Sequence, residues 1–174
     1  MGIYQPGIKL IYEIQSCVIY FFCTVAIRCV FTTITKNEAG ELNAYITKSE
    51  KPLIVSFWAT WCASCNEEIP YFISTIREKY KGEVELLLVS LDIKSYFPAK
   101  IASFAAKRNY DASIVWLNES NADVFCPQID PSWSGAIPST LMVNNKKQYR
   151  KFYEAGITAS QFEKDVKELV GGKY

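Results

Sequence analysis

The chain has 174 residues, 49% of them apolar, with 19 basic against 18 acidic side chains and no histidine. This length fits one domain with some added sequence and a core that needs no staples, and the balanced charge gives no nucleic-acid footprint. The missing histidine removes every Ser–His or Cys–His catalytic pair and every His-ligated metal site. Residues 1–35 differ from the rest. Ile14 to Ile27 is nearly all apolar, interrupted by Gln15, Ser16 and Thr24, with Lys9 before it and Arg28 closing it. The run falls short of the ~20 residues of a spanning helix and suits the apolar core of a secretory signal peptide. No Ala-x-Ala cleavage site follows, and Phe22 and Arg28, before Cys23 and Cys29, leave no lipobox. An uncleaved anchor over residues 8–34 is therefore open beside a cleaved leader, with a core helix and a misplaced start codon as competing readings. The expectation is an extracytoplasmic protein, with 1–35 as leader or anchor and 36–174 as the folded domain.

Thr35 to Gly40 is polar and reads as a linker. Leu42, Tyr45 and Ile46 predict a short helix over Glu41–Ser49, stopped by Lys51-Pro52. Leu53–Trp58 is a short apolar run and predicts a buried strand. Ile69, Phe72, Ile73 and Ile76 place one apolar face on a helix from Ser64 to Tyr80, with a kink expected at Pro70 and an end at Lys81-Gly82. Val84–Leu91 reads as a central strand, Pro98–Asn109 as a helix and Ser113–Leu117 as a strand. A short helix over Glu119–Gln128 leads into a Pro/Ser/Trp/Gly-rich loop, 130–136. Ser139–Asn144 and Gln148–Glu154 form a hairpin around Asn145-Lys146-Lys147, and Thr158 opens the last helix. Strands joined through helices should be parallel and the final hairpin antiparallel. The fold class is α/β, a three-layer sandwich with a mixed sheet of about five strands and helices on both faces.

Six cysteines stand at positions 17, 23, 29, 62, 65 and 126, and the 62/65 pair stands apart from the others. Cys62 falls where a strand delivers the chain to a helix N-terminus. Unpaired N–H groups and the helix dipole there favour a thiolate, the nucleophile of disulfide exchange. Cys62 would attack a substrate disulfide, and Cys65, one turn further in and more buried, would resolve the mixed disulfide; the reverse sequence would oxidise a substrate. Half a zinc site is the first alternative, but no second Cys-x-x-Cys and no histidine complete four ligands. An inert structural disulfide is the second. Cys126 reads as a buried structural cysteine or a third redox thiol.

The segment "VSFWATWCASCNEEIPYF" resembles the active-site segment of the thioredoxin-fold TlpA/ResA-like family of extracytoplasmic thiol-disulfide oxidoreductases, and "SGAIPSTLMVNN" resembles its second signature, a cis-proline followed by a strand. The resemblance spans about residues 40–170. It implies Cys62 as nucleophile, Cys65 as resolving thiol, and a cis Ile137-Pro138 bond that turns the Ile137 backbone toward the dithiol, where an extended substrate can pair. Trp61 and Trp58 resemble the aromatic residues flanking the pair. Glu68 matches an acidic residue near the dithiol that would relay a proton or raise a thiol pKa; a solvated helix residue is the plainer reading, and it holds for Glu67. The loop Trp133-Ser134-Gly135 is a candidate wall of the substrate groove or a surface loop packed by one tryptophan.

Departures stand beside the resemblance. Ser56 occupies the place of thioredoxin's buried Asp and cannot accept a proton as that carboxylate does, so Glu68 or water must. Ala63-Ser64 sets no redox direction. The family's N-terminal β-hairpin is expected to be missing, with a helix leading directly into the first strand.

The resulting expectation is a reductase of protein disulfides that needs no cofactor or metal. It would be monomeric, recharged by a membrane electron-donor protein, and at work in cytochrome c maturation or oxidative-stress defence. A thiol peroxidase and a redox-inert binding module on the same fold are the alternatives. Copper delivery would need a histidine that this chain lacks.

Overall fold

The structure is a computed structural model that describes residues 34–171. The leader or anchor expected in 1–35 lies, but for its last two residues, outside the described part. No helix among the described residues is long and apolar enough to cross a membrane.

Among the described residues, six strands form one sheet: β1 (Thr35–Asn37), β2 (Leu53–Trp58), β3 (Glu85–Ser90), β4 (Ser113–Leu117), β5 (Ser139–Asn144) and β6 (Tyr149–Tyr153), in the order β1-β4-β3-β2-β5-β6. As expected, β2, β3 and β4 pair in parallel, while β5 runs antiparallel to both β2 and β6. Every residue of β2 is buried, as a central strand covered on both faces must be. Five α-helices among the described residues cover the sheet: α1 (Ala39–Lys48), α2 (Ala63–Lys79), α3 (Ala99–Lys107), α4 (Ala122–Ile129) and α5 (Ala159–Gly171). Alternation along β2 divides the core in two. Ile54 and Trp58 point to the side of α2, α3 and α5; Leu53, Val55 and Phe57 point to the side of α1 and α4.

α2 buries the predicted face, Ile69, Phe72, Ile73 and Ile76, and continues as one helix past Pro70. Phe162, Val166 and Leu169 of α5 meet it at helical spacing, and Phe72 stacks on Phe162 with ring centroids 3.9 Å apart. Gly82, at φ +83°, takes the left-handed conformation that ends the connection from α2 to β3.

Two expectations need correction. The segment 35–40 is not a linker: it is β1 and the start of α1, so the sheet has six strands. A strand therefore precedes the helix, paired in parallel with β4 through Thr35↔Val115 and Asn37↔Leu117. Its polar side chains face outward at a sheet edge. It is held by backbone pairing to a strand about eighty residues away, which leaves no apolar alternation to read. α1 begins at Ala39 because the Glu41 carboxylate accepts the Glu38 N–H at 2.9 Å, half of a capping box.

Candidate active site

β2 ends at Trp58, and the turn 59–62 carries the chain into α2 with Cys62 as its N-cap. Cys62 and Cys65 are joined as a disulfide, Cα atoms 5.3 Å apart. The Cys65 N–H donates to Cys62 Sγ at 3.3 Å, and Ser64 Oγ lies 3.7 Å from the same sulfur. Once the bond is reduced, those donors face the sulfur at the positive end of a 17-residue helix, where a thiolate is favoured. Cys62 is 5% exposed and Cys65 is fully enclosed, the asymmetry that an attacking and a resolving thiol would need.

The turn is fixed by residues that sequence reading did not single out. Asp92, buried just beyond the end of β3, accepts the Thr60 N–H and, at 2.7 Å, the Thr60 hydroxyl, while Ser90 donates to it at 2.9 Å. Asn66 donates to the Thr60 carbonyl at 3.2 Å and is itself held by the Tyr110 hydroxyl. A polar residue at the carboxyl end of a central strand, where sites gather in open α/β sheets, was the available signal for Asp92.

Trp61 is 66% exposed beside the pair. Trp58 is a core residue instead: it is fully buried, 5.5 Å from the ring of Tyr110, in the same apolar cluster as Cys62 and Cys65. Ile137-Pro138 is cis. The register Phe57↔Ser139 sets Pro138 level with the end of β2, where the dithiol turn departs. A second cis bond, Phe97-Pro98, was not anticipated. Among the described residues, the Ile137 N–H and C=O have no hydrogen-bond partner.

Glu68 is not a solvated surface residue; Glu67 is. Glu68 is 3% exposed, its Oε2 accepts the Ile157 N–H at 3.1 Å, and its Oε1 has no partner among the described residues. Burial pushes the carboxyl up to about 7, against the smaller opposing pull of the Ile157 N–H. It stands three residues after Cys65 on the same side of α2. Gly156 ties it to the proline: a Cβ there would lie 3.7 Å from Glu68 Oε2 and 3.9 Å from Pro138 Cγ.

A thioredoxin family model matches residues 32–107. Over 113 residues the chain is 25% identical to the thiol-disulfide oxidoreductase ResA of Oceanobacillus iheyensis, covering 65% of this chain and 54% of that one. It is 39% identical over 60 residues to a thioredoxin of Streptomyces clavuligerus, 34% of this chain and 54% of that one. The chain thus spans about half the length of these two curated relatives. Among solved structures, a thioredoxin-related protein from Neisseria meningitidis serogroup B superposes with a TM-score of 0.59 at 23% identity, over 72% of this chain and 88% of that one. StoA from Bacillus subtilis superposes with 0.50 at 23%, over 67% and 83%. The chain has the thioredoxin fold and is similar, over part of its length, to thioredoxins and to the thiol-disulfide oxidoreductase ResA.

Ser56 stands on the α2 side of β2, opposite Thr140 of β5. Both hydroxyls are buried and, like Glu68 Oε1, without partners among the described residues. Glu68, one helical turn after Cys65, is a buried carboxyl on this side of the sheet. Cys126 is 1% exposed and packs in the cluster on the other side of the sheet. Burial pushes its thiol up to about 11, with Glu154 and Asp123 adding to the rise. Cys126 is thus separated from the dithiol by the sheet, with burial disfavouring its thiolate.

Proposed function

We propose that this chain reduces protein disulfides outside the cytoplasm through the Cys62–Cys65 pair. The observation that carries the reading is the meeting at one end of the sheet of a helix-capping Cys62, the cis Ile137-Pro138 edge and the buried Glu68. In the reduced protein, the Cys62 thiolate attacks one sulfur of the substrate disulfide. The substrate's other sulfur leaves as a thiolate and takes a proton, and a mixed disulfide remains on Cys62. Cys65 gives its proton toward Glu68, a carboxylate close to neutrality, and attacks Cys62 Sγ. The 62–65 disulfide closes and the second substrate sulfur is released as a thiol. Two electrons have passed to the substrate, and a membrane electron-donor protein returns the pair to the dithiol.

Ile137 offers its unpaired backbone to an extended segment next to the substrate disulfide, which favours protein substrates. The reductase direction, monomeric working form and roles in cytochrome c maturation or oxidative-stress defence rest on the ResA-like resemblance. The extracytoplasmic location and the division into a leader or anchor and a domain rest on the apolar run Ile14–Ile27. The test is turnover of an interchain protein disulfide, such as that of insulin, with dithiothreitol as donor. Precipitation of the freed chain well above the donor-only rate is expected. A wild-type protein no faster than donor alone overturns the reading, and peroxide turnover by Cys65→Ser in its place would favour the peroxidase.

A further inference from the structure

The loop before the cis-proline has more internal bonding than a surface loop requires. Trp133 is 3% exposed, wedged against Phe57 at 4.3 Å between centroids and edge-on to Phe125, and its indole N–H donates to the Ala136 carbonyl at 3.0 Å. Gly135 turns at φ +99°, where a Cβ would sit 3.1 Å from Ala122 Cβ; no side chain fits that turn without displacing α4. The remaining tie comes from the far side of the sheet hairpin. One oxygen of Glu154, directly after β6, accepts the Ser134 N–H at 2.8 Å, the Ser134 hydroxyl at 2.5 Å and the Ala136 N–H at 3.0 Å. Both backbone groups of Ala136 are thereby occupied within the loop, while those of Ile137, the next residue, have no partner among the described residues.

We infer that Glu154 is a positioning residue that holds the Ser134–Ala136 loop so that the Ile137 edge is already in place for an extended substrate segment. The inference deepens the proposed reduction of protein disulfides and rests on it. Glu154 does not touch the dithiol, so its effect is confined to substrates that need the edge. The same connector continues to Gly156, against Pro138, and to Ile157, whose N–H holds Glu68. Docking edge and buried acid are thus placed by one short segment between β6 and α5.

The experiment compares wild type, Glu154→Ala and Glu154→Gln on two substrates, a disulfide-bonded protein (insulin) and a small aromatic disulfide (5,5′-dithiobis(2-nitrobenzoate)). Reduction potentials are measured alongside. For Glu154→Ala we expect KM for the protein substrate to rise about tenfold, the scale of one lost charge-assisted hydrogen bond. Its kcat, its rate on the small disulfide and its potential should stay within about twofold of wild type on the same scale. Glutamine keeps a carbonyl acceptor and should recover part of the loss. Equal losses on both substrates, or an unchanged KM in both variants, overturn the inference while leaving the reductase reading intact. A wild type inactive on both disulfides overturns the reductase reading, and the inference with it.

Discussion

Cys65→Ala is expected to accumulate mixed disulfides on Cys62, and Cys62→Ala to accumulate none. In the native pair the resolving thiol lies one helical turn from the attacking one, with Cα atoms 5.3 Å apart. Well-oriented intramolecular reactions reach effective molarities on the order of 10⁵ M. Without Cys65 the adduct must wait for an external thiol, and its lifetime lengthens by about a thousandfold or more. Cys126 cannot take over, since it is buried on the other side of the sheet with its thiol held protonated. Mass spectrometry of Cys65→Ala purified from its source cells should find partner proteins attached at Cys62 alone. Adducts on Cys126, or equal adducts on Cys62→Ala, would contradict the assignment of roles.

The second large effect belongs to Glu68. Burial raises its folded pKa from 4.5 to about 7. Between these values the folded state holds a proton that the unfolded state has lost. The stabilisation from keeping Glu68 neutral is complete below the unfolded value and disappears as pH rises through about 7. The shift corresponds to about 3 kcal/mol. Denaturant unfolding of the wild type should therefore show a loss of roughly that size between pH 5 and pH 8, and Glu68→Gln, which never ionises, should lack it. The same substitution removes the proton acceptor for Cys65, so resolution of the mixed disulfide at pH 7 should slow by about a hundredfold, the lower range for a general base. Its rate should then rise only toward the thiol's own ionisation, near ~8.5. Identical pH–stability curves for the two proteins would remove Glu68 from the account, as would an unchanged pH–rate profile.

How far the sequence reached depended on how local each signal was. Leu53–Trp58, Ser113–Leu117 and Ser139–Asn144 were legible to the residue because apolar runs bounded by turn residues carry their own boundaries. β1 was not legible, because Thr35, Lys36 and Asn37 owe their strand conformation to β4 and not to any pattern of their own. The dithiol and the cis-proline were legible through their signatures. Glu68 was legible as a candidate, but only the burial of its carboxyl against Ile157 separates it from its neighbour Glu67. Asp92 and Glu154 carried no such mark. Each acts through hydrogen bonds to residues 20 or more positions away, on Thr60 and on Ser134, which no spacing in the chain discloses.

The reduction potential of the Cys62–Cys65 pair, measured by equilibration against glutathione or dithiothreitol buffers with Cys126→Ser as background, tests the central claim most directly. A redox-active pair capped by helix N–H groups should lie above about −300 mV, in the range of thioredoxin-like carriers, with thioredoxin itself near about −270 mV. A value far below about −300 mV, where structural disulfides of secreted proteins lie, would make the 62–65 bond a fixed staple and contradict the exchange of electrons through it.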